Sequence, residues 1–208
     1  MVKLTGPLFS LGASGTIGKT VTYSQWKGRP FARQRVIPHN PKSGGQVGAR
    51  AMWAFITQNW DALTTAEKAT WTARAAQTII SPFNAYTSYN AKRFATFNAP
   101  SQEDPAAETN AVGTVLAWTA TGGVREVVLD ISLTLANANW GVAVFRSTTT
   151  GFTPSITNVV FVRLLDSTTA IQIVDTPLDP DTYYYDAKYF TDDGLYGSLL
   201  GEINGTST

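Results

Sequence analysis

Apolar and polar residues follow three different patterns along the 208-residue chain. The first stretch is rich in Gly, Ser and Thr and has no helical period, which predicts an extended arm. The middle stretch repeats apolar residues at intervals of three and four, the period of an amphipathic helix. Beyond residue 112, short apolar runs alternate with polar residues between turn signals, which is typical of an all-β domain. The chain is therefore predicted to be an α+β protein of two domains.

Two short strands are predicted in the arm, at 20–26 and 31–37, on either side of a Lys-Gly turn. Both segments are rich in β-branched and aromatic residues, which favour strands. Arg33 and Arg35 are two positions apart, so they project from the same face of the second strand. The arm is therefore predicted to be a basic β-hairpin. Its many glycines make it costly to order, so we expect contacts outside the monomer to order it.

Helical spacing and capping signals predict a small helical bundle after the arm. A capping box formed by Thr64 and Glu67 opens its second helix. Trp60 and Trp71 lie at helical spacing and are predicted to form the core of a helical hairpin. So small a bundle cannot bury all its aromatic residues, and the remainder needs a partner. The predicted helices cover 46–60, 64–77 and 81–97.

Seven strand candidates follow, and they predict a β-sandwich that folds on its own as residues 106–208. In the second of them, Val127 to Thr134, apolar and polar residues alternate, so one face is expected to be buried. The seven candidates are 112–118, 125–134, 140–147, 158–165, 170–175, 182–190 and 196–203. The predicted division of the chain is an arm over 1–43, helices over 44–100, a linker over 101–107 and the sandwich over 108–205.

The sign of the charge changes at residue 101, where the predicted linker begins. Residues 1–100 carry twelve Lys/Arg and two acidic residues, a formal charge of +10, whereas residues 101–208 carry four and thirteen, a charge of −9. The polar, proline-bearing stretch between them has the composition of a linker. Opposite charges favour head-to-tail association of copies, although two solvated surfaces within one monomer would give the same pattern.

Residues capable of chemistry are few, and neither an enzyme nor a cofactor site is predicted. The chain has no cysteine, and its one histidine, His39, lies between prolines without a partner that would orient a catalytic base. Acidic turns at Asp175 to Asp181 and at Asp192-Asp193 carry the oxygen ligands that Ca²⁺ prefers. Aspartate is also favoured in turns for backbone reasons, so solvated turn residues are the simpler interpretation and no metal site is assigned. No apolar run is long enough for a membrane helix, and no secretory signal is visible.

The N-terminal half resembles a group of structural proteins of tailed phages and prophages whose biochemistry is uncharacterised. The matching pieces are Gly28-Arg29-Pro30-Phe31-Ala32-Arg33, Asn40-Pro41-Lys42-Ser43, Gln46 with Arg50, and the Trp60 to Trp71 hairpin. The resemblance covers roughly residues 10–95. It implies that the protein belongs to a virion assembled in the host cytoplasm, and it carries no implication about chemistry.

The C-terminal half resembles a fibronectin type III domain, a member of the immunoglobulin-like sandwiches. Trp118 stands where that family has its early core tryptophan, and Leu178-x-Pro180-x-Thr182-x-Tyr184 matches its approach to the sixth strand. The resemblance implies that Tyr184 is the tyrosine-corner residue, whose hydroxyl bonds back to the backbone. The fold itself serves many adhesion and spacer roles, so it does not indicate one function.

Three functional hypotheses follow. The first is a non-enzymatic structural component of a tailed phage particle, a capsid decoration, minor head or tail-associated protein that binds other virion proteins and itself. The second is a DNA-binding or packaging accessory protein using the same basic half. The third is a carbohydrate-binding adhesin, for which Trp140 and Phe152 are the candidate aromatic contacts. The residues predicted to bind partners are Lys19, Lys27, Arg29, Arg33, Arg35, Lys42 and Arg50.

Overall fold

The computed structural model describes residues 15–18, 20–37, 42–110, 114–134, 139–165 and 170–208. These residues belong to two compact units that divide between positions 41 and 42. We call the first the hairpin unit and the second, Lys42–Thr208, the body. Within the described residues, no helix is both long enough and apolar enough to cross a membrane.

The hairpin unit is a three-stranded antiparallel sheet in the order β1-β2-β3. Its strands are β1 (Gly15–Ile17), β2 (Val21–Trp26) and β3 (Arg29–Gln34). The turn between β2 and β3 is Lys27-Gly28, and both residues have positive φ, of 49° and 75°. Two positive φ values in a two-residue turn match the twist of the flanking strands, so the turn selects the hairpin. The predicted hairpin is therefore confirmed, with β1 added to it.

Three helices begin the body: α1 (Gly44–Asn59), α2 (Thr65–Thr78) and α3 (Pro82–Ala95). The signals that predicted their starts act as expected. Thr64 and Glu67 form the capping box of α2 in both directions, with Thr64 N donating to Glu67 Oε2 over 2.6 Å. Ser81 caps α3, and Pro82 occupies its first turn, where a missing backbone N–H costs nothing.

Two antiparallel sheets complete the body. Their strands are β4 (Thr114–Gly123), β5 (Glu126–Thr134), β6 (Asn139–Ser147), β7 (Val159–Leu164), β8 (Ala170–Asp175), β9 (Asp181–Thr191), β10 (Tyr196–Leu199) and β11 (Ile203–Ser207). The smaller sheet has the order β4-β5-β8. The larger has the order β10-β9-β6-β7, and β11 pairs with β9 as well. The sequence predicts one last strand over 196–203. The structure has two strands from residue 196 onward, β10 and β11, which are separated near Gly201, whose φ is 102°.

The two sheets face each other across a shared core, which makes this part of the chain a β-sandwich. Leu129 and Ile131 of β5 pack in one cluster with Val144 of β6 and Tyr185 of β9. Trp118 belongs to the same cluster, and its indole Nε1 donates to the carbonyl of Gly201 over 3.0 Å. The predicted core position of Trp118 is confirmed.

The outer face of the larger sheet is covered by the helices. Phe55 of α1 lies 4.8 Å from the ring of Trp140 and 5.4 Å from that of Phe190. α1 also approaches β7 closely at Gly48, where an added Cβ would lie 3.0 Å from the Cβ of Val159. The larger sheet is therefore buried on both faces, and the body has three layers.

This arrangement corrects the predicted division of the body into a helical module and a separate sandwich. The apolar remainder of the helices has a partner, as expected, but the partner is the sandwich of the same chain. The physical reason is visible in β6, where Trp140 to Phe145 form an almost uninterrupted apolar run rather than an alternating one. Such a run is typical of a strand buried on both faces.

The segment predicted as a linker, 101–107, is bonded to both layers that it joins. The side chain of Asn90 donates to Ser101 O over 3.0 Å and accepts from Ser101 N over 2.8 Å, and both residues are completely buried. Arg74 forms an ion pair with Asp104 over 2.6 Å. Gln102 N donates to Asp192 O over 2.7 Å. These bonds fix the connection, so its polar composition reflects bonding rather than freedom.

Candidate interaction surface

One face of the hairpin unit collects basic and aromatic side chains. Residues directly opposite each other in an antiparallel pair share a face, and β2 pairs Trp26 with Arg29, Ser24 with Phe31 and Thr22 with Arg33. Arg35 N donates to Thr20 O, which continues this register and places Arg35 on the same face. We call this surface the basic face; it consists of Thr22, Ser24, Trp26, Arg29, Phe31, Arg33 and Arg35. The predicted common face of Arg33 and Arg35 is confirmed.

The basic face is exposed and its positive charge is uncompensated within its unit. Trp26 is 67% exposed and Phe31 38%, and the ammonium of Lys27 lies 4.9 Å from the Trp26 ring. Residues 1–41 contain six Lys/Arg and no Asp or Glu. Among the hairpin residues whose burial is described, none is fully buried. The surface thus presents cations and large apolar groups together, the composition of a binding surface.

The other predicted partner-binding residues belong to the body or lie outside the described residues. Lys42 and Arg50 belong to the body, where Lys42 precedes α1 and Arg50 is exposed on that helix. Lys19 lies outside the described residues, as does His39. The structure therefore groups Lys27, Arg29, Arg33 and Arg35 on one small sheet.

Trp60, Glu67 and Trp71 hold the structural positions predicted for them. Trp71 is completely buried, and its Nε1 donates to the carbonyl of Gln102 over 2.7 Å. Trp60 packs at the edge of the same core, with its ring 5.2 Å from that of Tyr86. Trp71 thus anchors the connection between the helices and the sandwich in addition to its role among the helices.

The tyrosine-corner assignment to Tyr184 is wrong. It is Tyr183 whose hydroxyl donates to the carbonyl of Asp179 over 3.1 Å. Tyr183 and Tyr185 point into the sandwich core, whereas Tyr184 lies on the other face of β9 and is half-exposed. Three consecutive tyrosines satisfy an alternating pattern in either phase, so the spacing alone does not select the inward residues.

Two residues of the acidic turns considered for Ca²⁺, Asp175 and Asp193, form hydrogen bonds within the body. Both carboxylate oxygens of Asp175 accept from Arg146, and one also accepts from the hydroxyl of Tyr185 over 2.9 Å. Asp193 accepts from Thr191 Oγ1 over 2.5 Å and from Thr109 N over 2.6 Å. Within the described ranges, no group of three His, Cys, Asp or Glu side chains is arranged to hold a metal.

Four carboxylates nevertheless gather at one small concavity of the body. It is lined by Glu67, Gln102, Glu103, Asn110, Asp192 and Asp193. Burial, and then the charges of Asp193 and Asp192, raise the pKa of Glu103. Burial also raises the pKa of Asp192, whereas hydrogen bonds outweigh burial and lower the pKa of Asp193. None of the ion pairs between described residues includes these four carboxylates, and hydrogen bonds rather than cations are the partners of Glu67, Asp192 and Asp193.

The two aromatic residues considered for carbohydrate binding are not on an exposed platform. Trp140 is 4% exposed and lies in the core between α1 and the larger sheet. Phe152 is partly buried against the same core. The corrected positions remove the contacts on which the adhesin hypothesis depended.

The sequence did not reveal a second exposed surface, between α1 and α3. Trp53 is 45% exposed and lines a groove with Asn84, Thr87, Ser88, Ala91, Lys92 and Ala95. Trp53 directly follows the buried Met52, so it stands next to the apolar stripe but outside it. In the sequence, the one sign of this surface is that Trp53 departs from the 3.6-residue period of the apolar stripe.

No family model matches the sequence, and no curated protein matches it. Among solved structures, an Fn3-like protein from Clostridium thermocellum is 16% identical, with a TM-score of 0.33, over 47% of this chain and 96% of that one. A β-1,2-glucanase from Parabacteroides distasonis is also 16% identical, with a TM-score of 0.33, over 47% of this chain. A family 76 glycoside hydrolase from Bacteroides thetaiotaomicron is 9% identical, with a TM-score of 0.37. The matched part spans 14% of the glucanase and 20% of the family 76 enzyme.

Proposed function

We propose that this protein is a non-enzymatic structural component of a tailed phage particle, which docks on its neighbours through the basic face of the hairpin unit. The observation that carries the docking role is a sheet in which no side chain of described burial is fully buried, with three arginines and two aromatic residues exposed on one face. A three-stranded sheet without a buried apolar face is only marginally stable in water by itself. Contacts with a partner would supply the burial that the hairpin unit lacks.

The body supports a structural role in a different way. Its three layers share aromatic cores, and its connection between helices and sandwich is bonded on both sides. Asp175 forms an ion pair with Arg146, and Asp193 accepts a hydrogen bond from Thr109 N, so both acidic residues stabilise the body. These features suit a rigid module that is held in place by its arm. The phage context comes from the sequence resemblance of residues 10–95.

The sandwich is proposed to be fibronectin type III-like. Its three-stranded sheet β4-β5-β8 faces a larger sheet centred on β9 and β6, and a corner tyrosine, Tyr183, enters β9. In this comparison, β10 and β11 together correspond to the final strand of that fold. Counted in this way, the eight strands β4 to β11 correspond to seven. In this proposal the sandwich is a spacer rather than a carbohydrate-binding module.

The experiment is a charge reversal on the basic face. We expect the double change Arg33→Glu, Arg35→Glu to leave the circular dichroism of the purified protein unchanged and to abolish its incorporation into particles in cells that produce them. Arg163→Glu is the control for a charge reversal elsewhere, because Arg163 is exposed on β7 of the body. Normal incorporation of the double variant would contradict the docking role.

DNA binding is the second candidate, since a basic sheet with exposed aromatic residues also suits a nucleic acid. The two candidates differ in their response to duplex DNA. A DNA-binding protein that contacts several phosphates loses affinity with a steep slope in log salt. Binding of the full chain to duplex DNA with such a slope, lost in the double variant, would favour the DNA-binding candidate over docking on protein.

A further inference from the structure

We infer that the basic face of the hairpin unit binds the acidic body of a second copy of this chain, so that copies associate head to tail. The inference rests on the proposed docking function and names its partner. The docking surface is the face that carries Arg29, Arg33 and Arg35 beside Trp26 and Phe31. The partner surface belongs to the body of the second copy, whose net charge has the opposite sign.

Charge complementarity selects the partner. The chain is nearly neutral, at +1, but its two units are not. Residues 1–41 carry six basic and no acidic residues, whereas residues 42–208 carry ten basic and fifteen acidic ones, a formal charge of −5. A surface with guanidinium groups is best satisfied by carboxylates, which accept paired hydrogen bonds from arginine. The body supplies them in excess.

The same charges exclude the symmetric alternative. Two basic faces placed against each other would oppose Arg29, Arg33 and Arg35 with their own copies, and like charges in an interface are unfavourable. An interface between two different surfaces of the same chain is heterologous. It leaves one free hairpin and one free acidic surface at the ends, so the association continues until a ring closes or an end is capped.

The acidic concavity of the body provides a probe for the partner surface. Glu103 lines it, is only half-buried, and repels Asp192 and Asp193 across it. An incoming guanidinium would relieve that repulsion, which is a gain specific to a cationic partner. Trp26, with two thirds of its surface exposed, would add apolar contact area beside the ionic contacts.

The test uses sedimentation velocity of the purified full chain over a wide range of concentration, at low and at high salt. We expect the mean mass to rise with concentration at low salt and to fall back at high salt, because screening weakens charge-driven association. The double variant Arg33→Glu, Arg35→Glu and the single variant Glu103→Lys should each weaken association by about tenfold or more. Arg163→Glu, a single charge reversal on the body, should associate like the unaltered chain.

Mixing the two variants separates head-to-tail association from any other arrangement. The Glu103→Lys copy keeps an intact basic face, and the double variant keeps an intact acidic surface. One unaltered interface can therefore form between them, and the mixture should associate more strongly than either variant alone. A mixture that stays monomeric, or an unaltered chain that stays monomeric at every concentration, would overturn the inference.

These outcomes are distinguishable from failure of the docking function itself. If the unaltered chain is monomeric but the double variant still fails to enter particles, the docking function stands and its partner is another virion protein. If the double variant enters particles normally, the docking function fails, whatever the sedimentation result.

Discussion

The hairpin unit and the body fold by different means. The body buries aromatic and aliphatic side chains in two clusters, one between its sheets and one between its larger sheet and its helices. The hairpin unit has backbone pairing and a well-defined turn, but none of its side chains with described burial is fully buried. Backbone hydrogen bonds alone contribute little net stability in water. The comparison indicates that the body is stable by itself, whereas the hairpin unit needs additional contacts, which we propose come from a partner.

The largest expected effect concerns the limits of the independently folding body. We expect residues 42–208 to unfold in one cooperative transition, because helices and sandwich share a core. Residues 106–208 alone would expose Trp140, Phe145 and Phe190, so we expect this fragment to self-associate or to show no cooperative transition. Urea unfolding followed by circular dichroism compares the two fragments. Equal stability would restore the two-domain division predicted from the sequence.

A single substitution at the interface between helix and sheet is expected to have the next largest effect. Phe55→Ala removes a ring that contacts Trp140 and Phe190 and should lower the free energy of unfolding of the body by about 3–5 kcal/mol. Trp53→Ala, two residues earlier on the exposed side of α1, should cost less than about 1 kcal/mol. Trp26→Ala in the hairpin unit should leave the transition of the body where it is.

The connection between the layers is expected to contribute less, but measurably. Asn90→Ala leaves the buried N–H and C=O of Ser101 without the side-chain partner that both have now. We expect a loss of about 1–3 kcal/mol in urea unfolding. Asn98→Ala is the control, because Asn98 is exposed just beyond the same helix. If both changes cost equally little, residues 101–107 are a linker after all.

The smallest effect distinguishes two neighbouring tyrosines. Tyr183→Phe removes the hydrogen bond to Asp179 O and should destabilise the body by about 1 kcal/mol. Tyr184→Phe removes a hydroxyl on the opposite, half-exposed face of β9 and should change stability by no more than a few tenths of a kcal/mol. The reverse order of the two values, in thermal or urea unfolding, would support the assignment of the corner to Tyr184.

Local signals explain which elements could be predicted from the sequence. The Thr64–Glu67 capping box, the Ser81-Pro82 start and the Lys27-Gly28 turn each act within four residues, and each lies where it was expected. The basic face could be predicted for the same reason, because Arg33 and Arg35 are two positions apart on one strand. The geometry of a short segment follows directly from the spacing of its residues.

The features that the sequence did not reveal depend on contacts between distant residues. Composition does not indicate that Phe55 meets Trp140, about 85 residues away, although the unbroken apolar run of β6 was a sign of a second buried face. Ser101 to Pro105 looks like a linker because it is polar, yet its groups bond to Asn90 and Arg74. A polar segment can be solvated or internally bonded, and only the fold distinguishes the two.

Hydrogen exchange measures most directly whether the hairpin unit is ordered by its partner. Exchange of residues 21–34 is compared in the free, dilute protein and in the assembled particle, with α3 as the internal reference. We expect the hairpin amides to exchange rapidly in the free protein and slowly in the particle, while α3 is protected in both, since amide protection follows local stability. Strong and equal protection of residues 21–34 in both states would contradict the docking role and make the hairpin unit as self-sufficient as the body.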